Sequence, residues 1–157
     1  LAKSTAVTPG KIVDRECHDS MNMGAAMAMA ALDTIVRNFR DLGVDETHYD
    51  QIITGDLGTV GRRLLLDYLM QAGYRIESRY MDCGIEMFSP EEQDTHAGGS
   101  GCGCSAAVLC GYILPKIRSG EWKRVLFLPT GALLSTVSFN EGKSVPGIAH
   151  GVVLETG

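Results

Sequence analysis

The chain lacks long runs of any one character. Its 157 residues contain 14 Lys and Arg against 19 Asp and Glu, for a net charge of −5. No basic run exceeds the pairs Arg62-Arg63 and Lys123-Arg124. A nucleic-acid partner is therefore not expected, because such surfaces concentrate Lys and Arg on one face. No window approaches the roughly 18 consecutive apolar residues of a membrane helix, so no transmembrane segment is expected. The opening Leu1-Ala2-Lys3-Ser4-Thr5 has no apolar core of a secretory signal. It also has no initiator Met, which reads as a fragment of a longer chain or as a processed one. There are five cysteines, Cys17, Cys83, Cys102, Cys104 and Cys110. An odd count in a chain of ordinary core size does not make a disulfide framework, and it points to a reducing, intracellular compartment. Two nucleotide motifs are missing as well. The glycines at 98–103 are not followed by Gly-Lys-Ser/Thr, and Gly55, Gly58 and Gly61 do not have dinucleotide-fingerprint spacing.

What is present suits one globular domain. Apolar residues make up 45% and charged residues 21%, the balance of a chain that buries a core. Residues 1–19, with Pro9-Gly10, read as extended chain or loop. Ser20 or Asn22 is placed to cap a helix over 23–42 that Gly43 ends. The first half of that helix is Ala, Met and Gly with no charge before Asp33, so it is apolar on every side and expected to be buried on every side. Its second side is expected to be covered by the rest of a longer protein or by another copy. A short buried strand follows at 51–55, then a helix over about 60–72 with Leu64, Leu65, Leu69 and Met70 as its stripe. Residues 76–95 read as a short strand and a long loop. The glycine-cysteine stretch 98–105 opens a third helix to about Arg118. Strands are expected at 124–129 and 148–155. Short apolar strands alternating with helices make a layered α/β domain without repeats or linkers.

Four features bear on chemistry. The loop Gly98-Gly99-Ser100-Gly101-Cys102-Gly103-Cys104-Ser105 offers backbone amides at a helix start, where a carboxylate or phosphate can sit; it equally suits a tight turn in which glycine serves packing alone. Asp56 is placed to cap the second helix, and Arg62 to hold an anion, the cap being the favoured role. Cys102 and Cys104 could join Cys83, His96 or His150 at a zinc ion, but no second ligand pair supports this, and no metal is expected. A helix start also lowers a thiol pKa, yet no base stands near either cysteine in sequence. Cys110 is expected in the core, and His18 and His48 on the solvated surface. His96 and His150 flank the glycine loop and the last strand and could meet at one site.

Several strings carry a resemblance across nearly the whole chain. These are Met21-Asn22-Met23-Gly24-Ala25-Ala26-Met27-Ala28, Gly55-Asp56-Leu57-Gly58, Asp82-Cys83-Gly84, His96 to Ala106, Thr130-Gly131-Ala132-Leu133-Leu134-Ser135 and Pro146-Gly147-Ile148-Ala149-His150. Together they resemble the stage V sporulation protein AD family, within the thiolase and ketoacyl-synthase superfamily. The resemblance implies a thiolase-like α/β fold with a mixed sheet and a buried central helix, and it identifies this chain as the C-terminal half of a two-half protein.

It also implies lost catalysis. Aligning Gly103-Cys104-Ser105 with the thiolase helix start puts Ser100 at the catalytic histidine. Gly103 falls at the synthase asparagine, and no histidine follows the strand ending Ile53-Thr54-Gly55-Asp56. Val145 stands at the thiolase cysteine before Pro146-Gly147. Serine, glycine and valine cannot serve as the base of Claisen chemistry. No catalytic residue and no cofactor is therefore expected. What the resemblance implies instead is binding of dipicolinate, pyridine-2,6-dicarboxylate, during its movement into the forming spore. Gly99, Ser100, Gly101, Cys102, Gly103 and Ser105 would contact it, with His96 and His150 alongside. The implied partners are the N-terminal half of the same protein and the membrane proteins of the spore dipicolinate-transport complex, at the periphery of the spore or forespore membrane, with a homodimer as a further form. Acyl transfer through Cys102 or Cys104 and a purely structural subunit are the competing readings.

Overall fold

The computed structural model describes residues 1–98 and 101–157. A five-stranded sheet forms its centre, in the order β1 (Ala2–Thr8), β7 (Gly151–Thr156), β4 (Arg124–Leu128), β2 (Gln51–Thr54) and β3 (Tyr80–Asp82). β2 is parallel to both its neighbours, whereas β7 runs antiparallel to β4 and to β1. This is the layered α/β architecture with a mixed sheet.

The strands place successive side chains on opposite faces, and both faces are covered. Ile52, Leu126 and Val153 point to a core shared with α1 (Met23–Leu42) and α2 (Gly58–Gln71). Ile53, Val125 and Phe127 point to a second core under the helical run α4 (Cys104–Val108), a π-helical turn (Leu109–Ile113) and α5 (Leu114–Arg118). The π turn has a local cause. Pro115 has no N–H and its ring crowds the preceding turn, and the Leu114 N–H reaches back to the Leu109 carbonyl instead. The extra residue shifts the buried stripe, which reads Cys104, Val108, Ile113, Ile117. Cys110 is thereby turned outward and is exposed, not in the core as its mid-helix position suggested.

Asn22 caps α1, its side chain accepting from the Ala25 N–H at 3.3 Å, and Gly43 ends the helix in the left-handed region at φ 66°. No residue from Met23 to Phe39 is exposed. Within the chain, two elements cover the helix. α2 lies beside α1, and the ribbon of β5 (Thr130–Ala132) and β6 (Gly147–Ala149) crosses it. The small residues make this possible. A Cβ on Gly61 would lie 2.7 Å from the Gly24 carbonyl oxygen, and one on Gly147 would lie 2.4 Å from that of Ala26.

Three boundaries differ from those read in the sequence. Residues 2–8 form an edge strand, because their partner β7 lies at the far end of the chain. The final strand is two, β6 and β7, broken at His150 where the chain passes from the ribbon to the sheet. A short helix, α3 (Cys83–Glu86), begins the segment read as loop after β3, and α6 (Thr136–Asn140) caps the excursion between β5 and β6. Among the described residues no helix is long and apolar enough to cross a membrane.

The backbone contact between α1 and α2 yields a direct test. Gly61→Ala is expected to cost about 1–3 kcal/mol through overpacking, read as a lower urea midpoint. Gly111→Ala, whose Cβ would meet nothing within 4 Å, is expected to leave the midpoint unchanged or raise it.

Candidate functional site

In open α/β sheets ligands favour the carboxyl ends of the strands where the connections change direction. Here that point lies between β2 and β4. The chain leaves β2 into α2 on one face and reaches β4 from the helical run on the other. The crevice is closed by a side chain. A Cβ on Gly55 would lie 2.7 Å from Thr130 Oγ1. The Asp56 N–H donates to Thr130 Oγ1 at 3.1 Å, and that hydroxyl donates to Asp56 Oδ1 at 2.9 Å. Asp56 therefore does not cap α2.

The cap comes from β3. Asp82 is buried at 1% exposure. Its Oδ1 accepts from the Leu57 N–H at 2.9 Å and from the Thr54 hydroxyl at 2.5 Å, and its Oδ2 accepts from the Gly58 N–H at 3.1 Å. The Tyr80 hydroxyl meets Thr54 Oγ1 at 2.5 Å. Burial raises the pKa of Asp82 above the usual carboxylate value, although the Thr54, Leu57 and Gly58 hydrogen bonds pull the other way and the Asp56 charge adds to the rise. Tyr80 is pushed strongly upward by burial and by the Asp82 charge. Sequence reading missed Asp82, Thr54 and Thr130, because each acts on a partner distant in the chain.

The segment before the glycine loop packs on the same helix start. The Thr59 N–H donates to the Ala97 carbonyl at 2.7 Å, so this first-turn amide of α2 is also occupied. Gly98, at φ 130°, fits against Gly84 and Gly58, where a Cβ would lie 3.0 Å from the Gly84 carbonyl oxygen. Gly99 and Ser100 lie outside the described residues. Gly101, at φ 125°, and Gly103 are exposed, and a Cβ at either would meet nothing within 4 Å, so open space lies in front of the start of the helical run. Cys102 is exposed and Ser105 half-buried. Cys104 is buried, its thiol donating to the Gly55 carbonyl at 3.8 Å. Burial raises its pKa, and the Asp56 and Asp82 charges add to the rise. Cys83, also buried, is pushed up strongly by the same causes. These two thiols are held protonated, the opposite of an activated nucleophile.

The histidines are placed apart in their contacts. His96 is exposed, at a positive φ of 50°, with its Nδ1 3.8 Å from Asp94. His150 is exposed at the break between β6 and β7, and its Nδ1 accepts from the Gly10 N–H at 2.9 Å. No hydrogen bond joins them among the described residues. His48 is half-buried, its Nδ1 3.4 Å from an Arg124 guanidinium nitrogen, so it is not the freely solvated residue its linker suggested. Among the described residues no three His, Cys, Asp or Glu side chains converge as metal ligands.

The Asp82 cap is testable. Asp82→Asn turns an N–H group toward a donor it now accepts, and is expected to cost about 1–3 kcal/mol in a urea titration. Because its folded pKa is raised, Asp82 binds its proton more tightly when folded. Its contribution is full below the ordinary carboxylate pKa and declines as pH rises through the raised value. The stability gap between wild type and variant is therefore expected to narrow with rising pH across the acid range.

Comparison with known proteins agrees with the motifs quoted above. The model of the stage V sporulation protein AD family matches residues 2–155. Stage V sporulation protein AD of Bacillus subtilis (strain 168) is 44% identical over 151 residues, which cover 96% of this chain and 44% of that protein. The chain thus spans less than half the length of that relative. Among solved structures, 3-oxoacyl-[acyl-carrier-protein] synthase III from Aquifex aeolicus VF5 aligns at a TM-score of 0.48 and 15% identity, over 83% of this chain and 39% of that one. The ketosynthase ApeO in complex with its chain length factor ApeC from Xenorhabdus doucetiae aligns at 0.48 and 10% identity, over 99% and 79%. With the family model spanning almost every residue and a relative of this identity, the chain belongs to the stage V sporulation protein AD family.

Proposed function

We propose that this chain is a non-catalytic, ligand-binding part of a sporulation protein, and that the ligand is dipicolinate. Family membership supports the sporulation role. The observation that carries the binding reading is the open space in front of Gly101 and Gly103 at the start of a long helical run, on the carboxyl edge of the sheet. The positive end of the helical run favours a carboxylate there. Asp56 and Asp82 confine a dianion to the outer lip of the loop, away from the sheet. Gly99 and Ser100 belong to the proposed contact, with Cys102 and Ser105 beside it. His150 shares this edge, held by Gly10, while His96 stands outward on the segment leading into the loop.

Against acyl transfer stands the state of the buried thiols, which burial and two carboxylates hold protonated. The outer face of the helical run is also informative. Ala106, Ala107, Cys110 and Gly111 are exposed there, a strip of small side chains where another layer can pack closely. We assign this face to the N-terminal half of the longer protein, since the curated relative is more than twice the matched length. Membrane proteins of a dipicolinate-transport complex are the further partners in this reading, at the periphery of the spore or forespore membrane. A homodimer through the same face is the alternative when the other half is missing.

Calorimetric titration of dipicolinate into this chain and into the full-length protein tests the ligand, with neutral pyridine as control. Saturable binding of dipicolinate alone, weakened in full-length His150→Ala or Ser100→Ala, is the expected result; silence in both proteins rules the ligand out. Thiol chemistry tests the absence of a nucleophile. With a disulfide reagent at pH 8, Cys102 and Cys110 are expected to react quickly and Cys83 and Cys104 only after unfolding. An acyl adduct on Cys102 or Cys104, seen by mass spectrometry after incubation with acyl-CoA, would overturn the non-catalytic reading.

A further inference from the structure

The excursion between β5 and β6 presents apolar side chains that serve no core. α6 buries none of its residues. Of the fourteen large apolar side chains exposed in the described chain, four fall within 133–139: Leu133, Leu134, Val137 and Phe139. Val137 is 63% and Phe139 61% exposed, so both stand clear of the fold. Exposed apolar side chains gathered in one place mark a surface where something packs. The excursion is also held in one shape. Ser135 caps α6, its Oγ accepting from the Ser138 N–H at 3.0 Å. The Leu133 N–H donates to the Pro146 carbonyl and the Val145 N–H to the Cys17 carbonyl, each at 2.8 Å. His18 Nδ1 lies 3.1 Å from the Gly142 carbonyl oxygen. Preorganised groups of this kind cost little to dock against.

The charge beside this patch is acidic. Leu134, Phe139 and Asn140, with Ser20, line a cavity of about 430 Å³. A second cavity, of about 700 Å³, shares Leu134 and Ser135 with it and is lined also by Asp14, Glu16 and Lys143. Asp14 and Glu16 stand together: the Glu16 N–H donates to Asp14 Oδ1 at 2.9 Å, and the Ser144 hydroxyl donates to Asp14 Oδ2 at 2.6 Å. The Ser144 and Glu16 hydrogen bonds hold the Asp14 carboxyl below the usual carboxylate range, so it stays charged. Among the described residues neither acid forms an ion pair. Lys143 is engaged by Glu141 at 2.6 Å, and Arg15 lines the groove beside Leu32 and Val36 instead. An acidic rim repels an anionic lipid surface, and a second copy docked through the same face brings two such rims together.

We propose that the 133–139 excursion docks a segment of another protein in which apolar side chains alternate with lysine or arginine, an apolar side chain seating against Leu134 and Phe139 and a cation against Asp14 and Glu16. The probe is a dye-labelled peptide alternating leucine and lysine, titrated into the full-length protein and read by fluorescence anisotropy. Peptides with glutamate in place of lysine, and with serine in place of leucine, are the controls. Saturable binding is expected for the leucine–lysine peptide alone. Phe139→Ser is expected to weaken it about tenfold or more, the scale of one buried aromatic side chain. Glu16→Gln is expected to weaken it about threefold, as for an exposed ion pair, and added NaCl to weaken it further. Val60→Ser, at an exposed apolar position on α2, is expected to leave it unchanged. Phe139 and Glu16 are both exposed, so the urea midpoint is expected to stay in place, which separates lost docking from lost fold. Absence of binding, equal binding of all three peptides, or binding that Phe139→Ser does not alter overturns the proposal. Cosedimentation with anionic vesicles, or a dimer in ultracentrifugation, that Phe139→Ser abolishes gives this face to lipid or to a second copy and overturns it as well.

Discussion

One buried carboxylate holds the carboxyl edge of the central sheet together. Asp82, at the end of an edge strand, accepts from the central strand through Thr54 and from the first amides of α2 through Leu57 and Gly58. One acceptor group on β3 thus joins the end of β2 to the start of the helix that follows it. A helix start leaves its first amides without partners, and their burial is costly unless an acceptor reaches them. Here the acceptor is supplied by tertiary structure, and the Ala97 carbonyl satisfies the next amide along. The start of α2 is therefore a finished structural joint and not a vacant anion site.

The electrostatics of the edge follow from that joint. Burial raises the pKa of Cys83, Cys104 and Tyr80, and the Asp82 charge adds to each rise. A raised pKa leaves a thiol less of the thiolate form that acts as nucleophile. Gly101 and Gly103 are exposed at the outer lip, where a Cβ would meet nothing within 4 Å.

Much of the scaffold was legible in the sequence. The helix over 23–42 has the bounds its composition suggested, since Asn22 and Gly43 are local signals that act within one turn. The short buried strands at 51–54 and 124–128 were equally plain from their apolar runs. What escaped was whatever depended on a remote partner. β1 is a strand only because β7 pairs with it, and Cys110 is exposed because Pro115 forces a π turn that rotates the buried stripe. Asp56 had the position of a cap, but Thr130 claims its carboxylate from across the switch point.

The candidate site divides along the same line. Residue types alone identified the glycine-cysteine loop and the family, because uncommon strings of small residues survive in the chain order itself. Which amides are capped, which carboxylates reach them and which thiols are buried are properties of distances between segments. The sequence by itself determined the elements, the small-residue packing of α1 and the family. Only the tertiary structure decided that Asp82 caps α2 and that α2 and the β5–β6 ribbon cover α1. Hydrogen bonds, burial and Coulomb interactions act through space and not along the chain.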